Sequence, residues 1–440
     1  MATRADSADD ASLAALPAPL RAFIEDNDLD ARNFLAQHLQ HVERFLRVPT
    51  RWQSTVTRQV LAAQLGVAKT DVRPVANLAG FYALPRATRV AQSSLYQEGK
   101  ASSVFGMDVT SAIAVHALDL VATDQVLDLC CAPGAKLCLI ADRLAAAAGT
   151  PAEQTNAEEK ETVCPGTVTG VDVSAQRAAT CRALLRKYPV SGLPNARLFV
   201  ADGRTFDVCA PVRVGPRWTR SNSPVLLQWH QETTTKVSPA SADTTDERRA
   251  QRKKRTASAP FYAPKTMRHD PQIKHSALLY DKASVLVDAE CTHDESLAHV
   301  QKHEAKGWSE LEEAFLAPDR LRDIDQLQRQ LLENGWNLLR PGGLLVYATC
   351  SLSTRQNEQV IAWFLRQGPG AQGRARLVPA ENPTAYQSVP AHNGRSQATT
   401  LTLTDAECAH LLRFEPWHSG TSGLFIARLR KTVPDMLPAP

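Results

Sequence analysis

From residue 108 to 430 the chain alternates short apolar runs with stretches of helical spacing, and this alternation is the tightest constraint on what it can fold into. QVLDLCC (125–131), TVTGVDV (167–173), ARLFVAD (196–202), ASVLVDAE (283–290) and LLVYATC (344–350) read as buried strands. Between and after them KLCLIADRLAAAA, SAQRAATCRALLRKY, DQLQRQLLENGWNLLRPGG and NEQVIAWFLRQ read as helices, and SGLFIARLR as a closing strand. Strands that alternate with helices are joined by crossovers and run parallel, so the expected fold is α/β with a doubly wound, mostly parallel sheet.

A chain of 440 residues suggests two or three domains. Residues 1–30 read as a flexible leader. Residues 31–105 form a small α+β subdomain, an accessory unit that could contact RNA. In it FLAQHLQHVERFL has Leu35, Leu39, Val42 and Leu46 on one helical stripe, FLRVPTR is a short extended piece, and TVTRQVLAAQLG is a helix ended by Gly66. Residues 106–432 form the main domain. Three polar stretches, 146–165, 210–275 and 367–400, interrupt it and read as surface insertions or disorder.

Several classes are disfavoured. Nine cysteines, an odd number without Cys-x-x-Cys spacing, describe a reduced protein and give a structural zinc site little support. MATRADSADD has three aspartates and no apolar stretch, unlike a secretory signal or a mitochondrial presequence, and no apolar run is long enough to span a bilayer. The expected protein is therefore intracellular and not secreted, cytoplasmic or nuclear to nucleolar, monomeric and without a membrane partner. A net charge of +4 permits an anionic partner without demanding one. RRAQRKKR, six of eight residues basic, reads as a solvated run, an import signal or an RNA-contacting arm. His299 and His303, four apart, with His293 nearby, fit a solvated polar helix better than a metal site, and no metal is expected.

Candidate chemistry gathers at strand ends. In a doubly wound sheet, ligands bind beyond the carboxyl ends of the strands. Pro133 and Gly134 make a tight turn after the first strand, but G-x-G-x-x-G is absent, against NAD or FAD. Asp172 at the second strand tip can accept from two ribose hydroxyls, and Asp202 at the third from an exocyclic amine. Each aspartate alone is more often a cap on the helix or turn that follows, but ligand-type residues on three successive strand tips outweigh that reading. The fourth strand ends in Asp288, Glu290 and Cys291, and the fifth in Cys350. A buried strand cysteine is usually structural, but the Thr-Cys-Ser around Cys350 opens into the polar segment TRQNE, where a thiolate can act as a nucleophile.

Together VLDLCCAPGAK, GVDVS, VADGRTF, VLVDAEC, LLENGWNLLRPGGLLVYATCSLSTRQNE and PWHSGTSGLFIARL resemble the motifs of the Nol/Nop/Sun (Fmu/Sun-type) family of RNA cytosine carbon-5 methyltransferases. The resemblance covers about residues 100–430 and, more faintly, 45–100. It implies a Rossmann-like class I methyltransferase fold, S-adenosylmethionine as cofactor, and 5-methylcytosine formed in ribosomal or transfer RNA. By this resemblance Cys130, Cys131, Ala132, Pro133, Gly134, Ala135 and Lys136, then Asp172 and Asp202, hold the cofactor. Asp288 serves cofactor and target base, Cys350 is the nucleophile and Cys291 helps the product leave. The sequence departs from the family where Glu290 replaces a proline, THD follows Cys291, and Ala135 replaces a glycine. A catalytically impaired RNA-binding relative and a methyltransferase with a non-RNA substrate are the competing readings; the second has no need for the two cysteines.

Carbon 5 of cytosine is a poor nucleophile until a thiolate adds at carbon 6, which divides one hard step into easier ones. A protonated carboxyl near ring nitrogen 3 would stabilise the adduct, a role that suits Asp288 if burial raises its pKa. The base must leave its stack to reach the pocket.

Overall fold

The computed structural model describes residues 16–27, 29–34, 42–96, 102–147, 166–188, 196–208, 210–211, 260–263, 283–292, 317–391 and 401–433. Its core is a sheet of β5 (Gln125–Asp128), β6 (Thr167–Asp172), β7 (Ala196–Val200), β8 (Ala283–Asp288), β9 (Leu344–Thr349), β10 (Ala375–Val378), β11 (Leu412–Phe414) and β12 (Leu424–Lys431). The strand order is β10-β12-β9-β8-β5-β6-β7, with β11 beside β12. β5 through β9 pair in parallel, and β12 runs antiparallel to β9. The doubly wound, mostly parallel sheet is as expected.

Helices cover both faces. α3 (Val109–His116), α4 (Ala135–Ala147) and α5 (Ala175–Lys187) lie with one core, and α6 (Pro318–Leu338) and α7 (Glu358–Arg366) with the other. The two-residue period of the strands divides their side chains between the cores. Val126, Leu286, Val346 and Ala348 enter the first, and Leu127, Val285, Val287, Leu345 and Tyr347 the second.

A second, antiparallel sheet, β2-β3-β1-β4, is built from β1 (Arg44–Arg47), β2 (Arg73–Pro74), β3 (Phe81–Leu84) and β4 (Phe105–Gly106). With α2 (Arg58–Leu65) it has its own small core around Leu46, Val48, Leu61, Val72 and Leu84. Thr57 caps α2 and Gly66, at φ 65°, ends it, as its sequence predicts. The unit is pinned to α4 by a buried ion pair: Arg47 donates to Asp142 at 2.6 Å, and Thr50 N and Oγ1 donate to the same oxygen.

Four expectations are corrected. The helical stripe read through Leu46 does not reach β1, whose residues 45–47 are extended as FLRVPTR predicts, because Phe45 pairs with Ala83 and Arg47 must reach Asp142; Leu35 and Leu39 lie outside the described residues. The leader contains α1 (Ala18–Asp26), whose Leu20, Phe23 and Ile24 form an i, i+3, i+4 stripe buried with Leu352. The segment 367–400 supplies β10, which pairs with β12, burying Ala375 and Leu377 and exposing Arg376. Within 210–275, Tyr262 exchanges both main-chain hydrogen bonds with Leu198 of β7, and Arg182 and Arg186 of α5 lie over the Phe261 and Tyr262 rings. The run RRAQRKKR and most of 146–165 lie outside the described residues.

Candidate active site

β5 is the strand at which the sheet changes direction of growth, with β6 and β7 on one side and β8 and β9 on the other. A crevice opens at the carboxyl ends of strands around such a point. Here it is a cleft of about 610 Å³, lined among others by Cys130, Ala132, Lys136, Asp172, Asp202, Asp288 and Cys350. Sites for small ligands are commonly of this size.

β5 ends at Asp128, earlier than its apolar run suggests, because the chain turns out through residues 129–134 into α4. Gly134 has φ 111°, and a Cβ there would stand 3.1 Å from the Cys181 Cα. Both the backbone angle and the close approach of α5 require glycine. Cys131 is buried behind this turn, its sulfur 3.9 Å from that of Cys181. Pro133, Gly134 and Ala135 therefore shape the cleft from behind its wall.

The two ribose- and amine-type aspartates are held differently. Asp172 is 4% exposed; its Oδ1 accepts from Ser174 N at 2.8 Å and its Oδ2 lies 3.6 Å from the Arg177 guanidinium. Asp202 is gripped by Arg204, which donates from Nε at 3.0 Å and from Nη2 at 2.7 Å. These hydrogen bonds hold its pKa below the usual carboxylate range.

Lys136, on the first turn of α4, donates to Asp288 Oδ2 at the end of β8, at 2.7 Å. Burial lowers the lysine pKa, but Asp288, by charge and hydrogen bond, then Cys350 and Asp128, outweigh it, and the net shift is upward. Asp128 is 1% exposed, and neither of its carboxyl oxygens makes a well-formed hydrogen bond. Burial first, then the Asp288 charge, pushes its pKa up to about 8 against the pull of Lys136 and the Cys130 N–H. Asp288, expected to act on the target base, therefore reaches the cleft as one member of a hydrogen-bonded pair with Lys136.

Cys350 and Cys291 come together: their sulfurs are 3.3 Å apart, Cys350 on the cleft wall and Cys291 wholly buried behind it. Cys130, by contrast, has its thiol pushed well up by burial and by Asp128 and Asp288. The loop after Cys350 is buried and anchored on two sides. Arg413, itself fully buried, donates to Leu352 O and pairs with Glu358 and Glu415, both at 3.1 Å. From α1, Asn27 Oδ1 accepts from Thr354 N at 2.9 Å. Glu290, which stands in place of the family's proline, forms an ion pair with Arg320 at the cleft wall.

Arg177, Arg204, Arg320 and Asp128 were not singled out from the sequence. Arg177 and Arg204 follow their aspartates within five and two residues, and a basic residue close after an acidic strand tip is the signal that could have found them. His293, Asp294, His299 and His303 lie outside the described residues.

Residues 242–430 match the family model described as 16S rRNA methyltransferase RsmB/F. A ribosomal RNA small subunit methyltransferase F of Klebsiella pneumoniae is 32% identical over 158 residues, 36% of this chain and 28% of that one. Its counterpart in Escherichia coli is 32% identical over 162 residues, 36% and 27% of the two chains. The chain thus spans little more than a quarter of the length of these relatives. Among solved structures, a methyltransferase homologue of Pyrococcus horikoshii has a TM-score of 0.53 at 19% identity, covering 94% of this chain and all of that one. NSun6 of Pyrococcus horikoshii, solved with SFG, has a TM-score of 0.56 at 15% identity, covering 96% and all. The fold is that of the Rossmann-like methyltransferases, and residues 242–430 are similar in sequence to the RsmB/F methyltransferases.

Proposed function

We propose that the protein transfers a methyl group from S-adenosylmethionine to carbon 5 of a cytosine in RNA, ribosomal RNA first, through a covalent bond to Cys350. The observation that carries this reading is the pair of sulfurs 3.3 Å apart at the wall of a cleft that also holds Asp172 and the Lys136–Asp288 pair. The names of the bacterial relatives support it.

The residues present fit the cofactor. A buried carboxylate at the tip of β6, Asp172, suits a ribose diol, and Gly134 lets the turn after β5 pack closely on α5 while Cys130 and Ala132 line the cleft. SFG, bound by NSun6, is an analogue of the same compound. When bound, the cofactor supplies an electrophilic methyl group. Asp202 shares both oxygens with Arg204, so it meets an adenine amine as one member of an ion pair.

Cys350 attacks carbon 6 of the flipped cytosine, and the electron pair displaced from the 5,6 double bond makes carbon 5 nucleophilic. The Lys136 ammonium lies within electrostatic reach of Cys350 and favours its thiolate. Lys136 and Asp288 together offer a hydrogen-bond donor toward ring nitrogen 3, with the proton on the lysine side of the pair. In the second half, the carbon 5 proton leaves to a base near Cys291 and the Cys350–carbon 6 bond breaks, restoring the thiolate.

Between residues 42 and 96, eight arginines and lysines stand against two acidic residues, and we assign RNA contact to this N-terminal unit. No helix among the described residues is long and apolar enough to cross a membrane. The relatives are bacterial, which favours a cytoplasmic placement over a nucleolar one. The test is incubation of the protein with S-adenosylmethionine and unmodified small-subunit rRNA, read by bisulfite sequencing. A single newly protected cytosine is expected; none in ribosomal or transfer RNA would overturn the reading.

A further inference from the structure

The two cysteines sit on different strands, and something must hold their sulfurs in contact. Thr292 follows Cys291 and Ser351 follows Cys350, and the two hydroxyls are hydrogen bonded at 2.8 Å. Gln356, 2% exposed on the loop between β9 and α7, closes the same gap with both ends of its carboxamide. Its Oε1 accepts from Thr292 N at 3.1 Å, and its Nε2 donates to Thr292 Oγ1 at 3.0 Å. The Gln356 main chain is fixed in turn. Its carbonyl accepts from Tyr347 OH at 2.7 Å, and its N–H donates to Ser353 O at 3.0 Å. On the far side Gln328 of α6, fully buried, donates to Glu290 O at 2.9 Å, so the residue before Cys291 is held as firmly as the residue after it.

We propose that Gln356 is a positioning residue, whose carboxamide staples Thr292 to the Cys350 loop and so sets the Cys291 sulfur against the Cys350 sulfur for the release half of the reaction. The proposal deepens the methyltransferase reading and rests on it for its catalytic consequence; the placement of the sulfurs stands apart from that reading. A carboxamide suits the task because Thr292 presents one donor, its N–H, and one acceptor, its Oγ1, and a planar group carrying one of each meets both. A carboxylate retains the acceptor, and the Thr292 hydroxyl can turn to donate to it. An apolar side chain retains neither. Attack by Cys350 on carbon 6 needs the cleft wall alone. Loss of the staple therefore leaves bond formation in place and slows bond breakage.

The first experiment needs no RNA. The full chain is treated with oxidised glutathione, which takes two electrons from the two thiols and becomes two molecules of reduced glutathione. The Cys291–Cys350 disulfide is followed by peptide mass mapping. Gln356→Leu is expected to slow its formation by about fivefold or more, and Gln356→Glu to stay within about twofold of the unaltered protein. An unchanged rate in Gln356→Leu overturns the proposal. Where Gln356→Leu does not fold, Thr292→Val, which deletes the shared hydroxyl and keeps the N–H, is expected to slow the same reaction and overturns the proposal if it does not. The second experiment counts protein–RNA adducts on denaturing gels beside methyl transfer. Gln356→Leu is expected to lose turnover by about tenfold while the trapped fraction rises, with recovery of both in Gln356→Glu. A parallel fall of adduct and turnover means a general loss of structure and overturns the proposal. Absence of methyl transfer by the unaltered protein strikes the methyltransferase reading instead, and the thiol experiment still decides the placement.

Discussion

Lys136 and Asp288 join the first turn of α4 to the end of β8 across the switch point of the sheet, nitrogen to oxygen at 2.7 Å. Asp128 lies beneath them at the end of β5 without a well-formed hydrogen bond to either carboxyl oxygen. One ammonium thus serves two carboxyls, and it pairs directly with the more accessible of the two.

That arrangement makes stability depend on pH in a defined direction. The folded pKa of Asp128, about 8, lies above its ordinary value of 3.8. The native state therefore holds a proton that the unfolded chain gives up. The associated stability is fully present below about pH 4 and is lost as pH rises through about 8. Asp128→Asn stays neutral throughout. The melting temperature of the variant relative to the unaltered protein is expected to climb by at least about 3 °C between pH 5 and pH 9. Parallel melting curves across that range would mean that Asp128 titrates normally.

At the other side of the cleft, Asp172 is almost wholly buried and spends one oxygen on Ser174 N. The second oxygen faces Arg177 at 3.6 Å, longer than a hydrogen bond, and is the one available to a diol. Asp172→Ala is expected to weaken S-adenosylmethionine binding about 10- to 100-fold by calorimetry, the worth of one or two hydrogen bonds to a charged acceptor. Binding within a factor of two of the unaltered protein would take Asp172 out of the site.

What was legible in the sequence follows from what is local. The apolar runs and their acidic ends place Asp172, Asp202 and Asp288 at strand tips on either side of β5, since parallel strands that end on polar residues end at the same edge of the sheet. The Thr-Cys-Ser at 349–351 is equally local. The rest depends on contacts between distant parts of the chain. Lys136 meets Asp288 across 152 residues, Arg47 meets Asp142 across 95, and Asn27 meets Thr354 across 327. No periodicity announces such pairs. β10 was hidden for another reason. Four residues among glycines and prolines give too short a pattern, and β10 becomes a strand only because β12 offers it a partner. The helical stripe read through Leu46 gives way at Arg44 for the same cause, tertiary pairing overriding local spacing, while the extended reading of FLRVPTR holds for residues 45–47.

The docking of α1 carries a consequence for the Cys350 loop. Asn27 is 6% exposed; its Nδ2 donates to Phe23 O at 2.8 Å while its Oδ1 accepts from Thr354 N. Asn27→Ala leaves a buried N–H unpaired, at a cost of about 1–3 kcal/mol. Urea unfolding is expected to report that loss, and amide exchange across residues 351–357 to accelerate. Asn27→Asp keeps the acceptor and is expected to recover most of the exchange protection. Unaltered exchange in Asn27→Ala would show that Arg413 and Glu358 hold the loop without help from the N-terminal helix.

The last prediction separates the two cysteines. Cys350 lines the cleft and Cys291 is buried directly behind it, so a base entering from the cleft meets the Cys350 sulfur first. Cys350→Ala is expected to abolish methyl transfer, at least about 1,000-fold, and to leave no covalent protein–RNA species. Cofactor affinity should survive, because β9 and its neighbours are untouched. Cys291→Ala leaves attack possible and removes the group behind the reacting sulfur. Its expected signature is a protein–RNA adduct that persists on a denaturing gel while turnover falls. Glu290 is the neighbour best placed to blunt this effect, but its carboxylate is already engaged by Arg320. The double change Cys291→Ala with Arg320→Ala frees that carboxylate and is expected to release part of the trapped adduct. Adducts that accumulate in Cys350→Ala and not in Cys291→Ala would exchange the two roles, and full activity in Cys350→Ala would end the covalent mechanism.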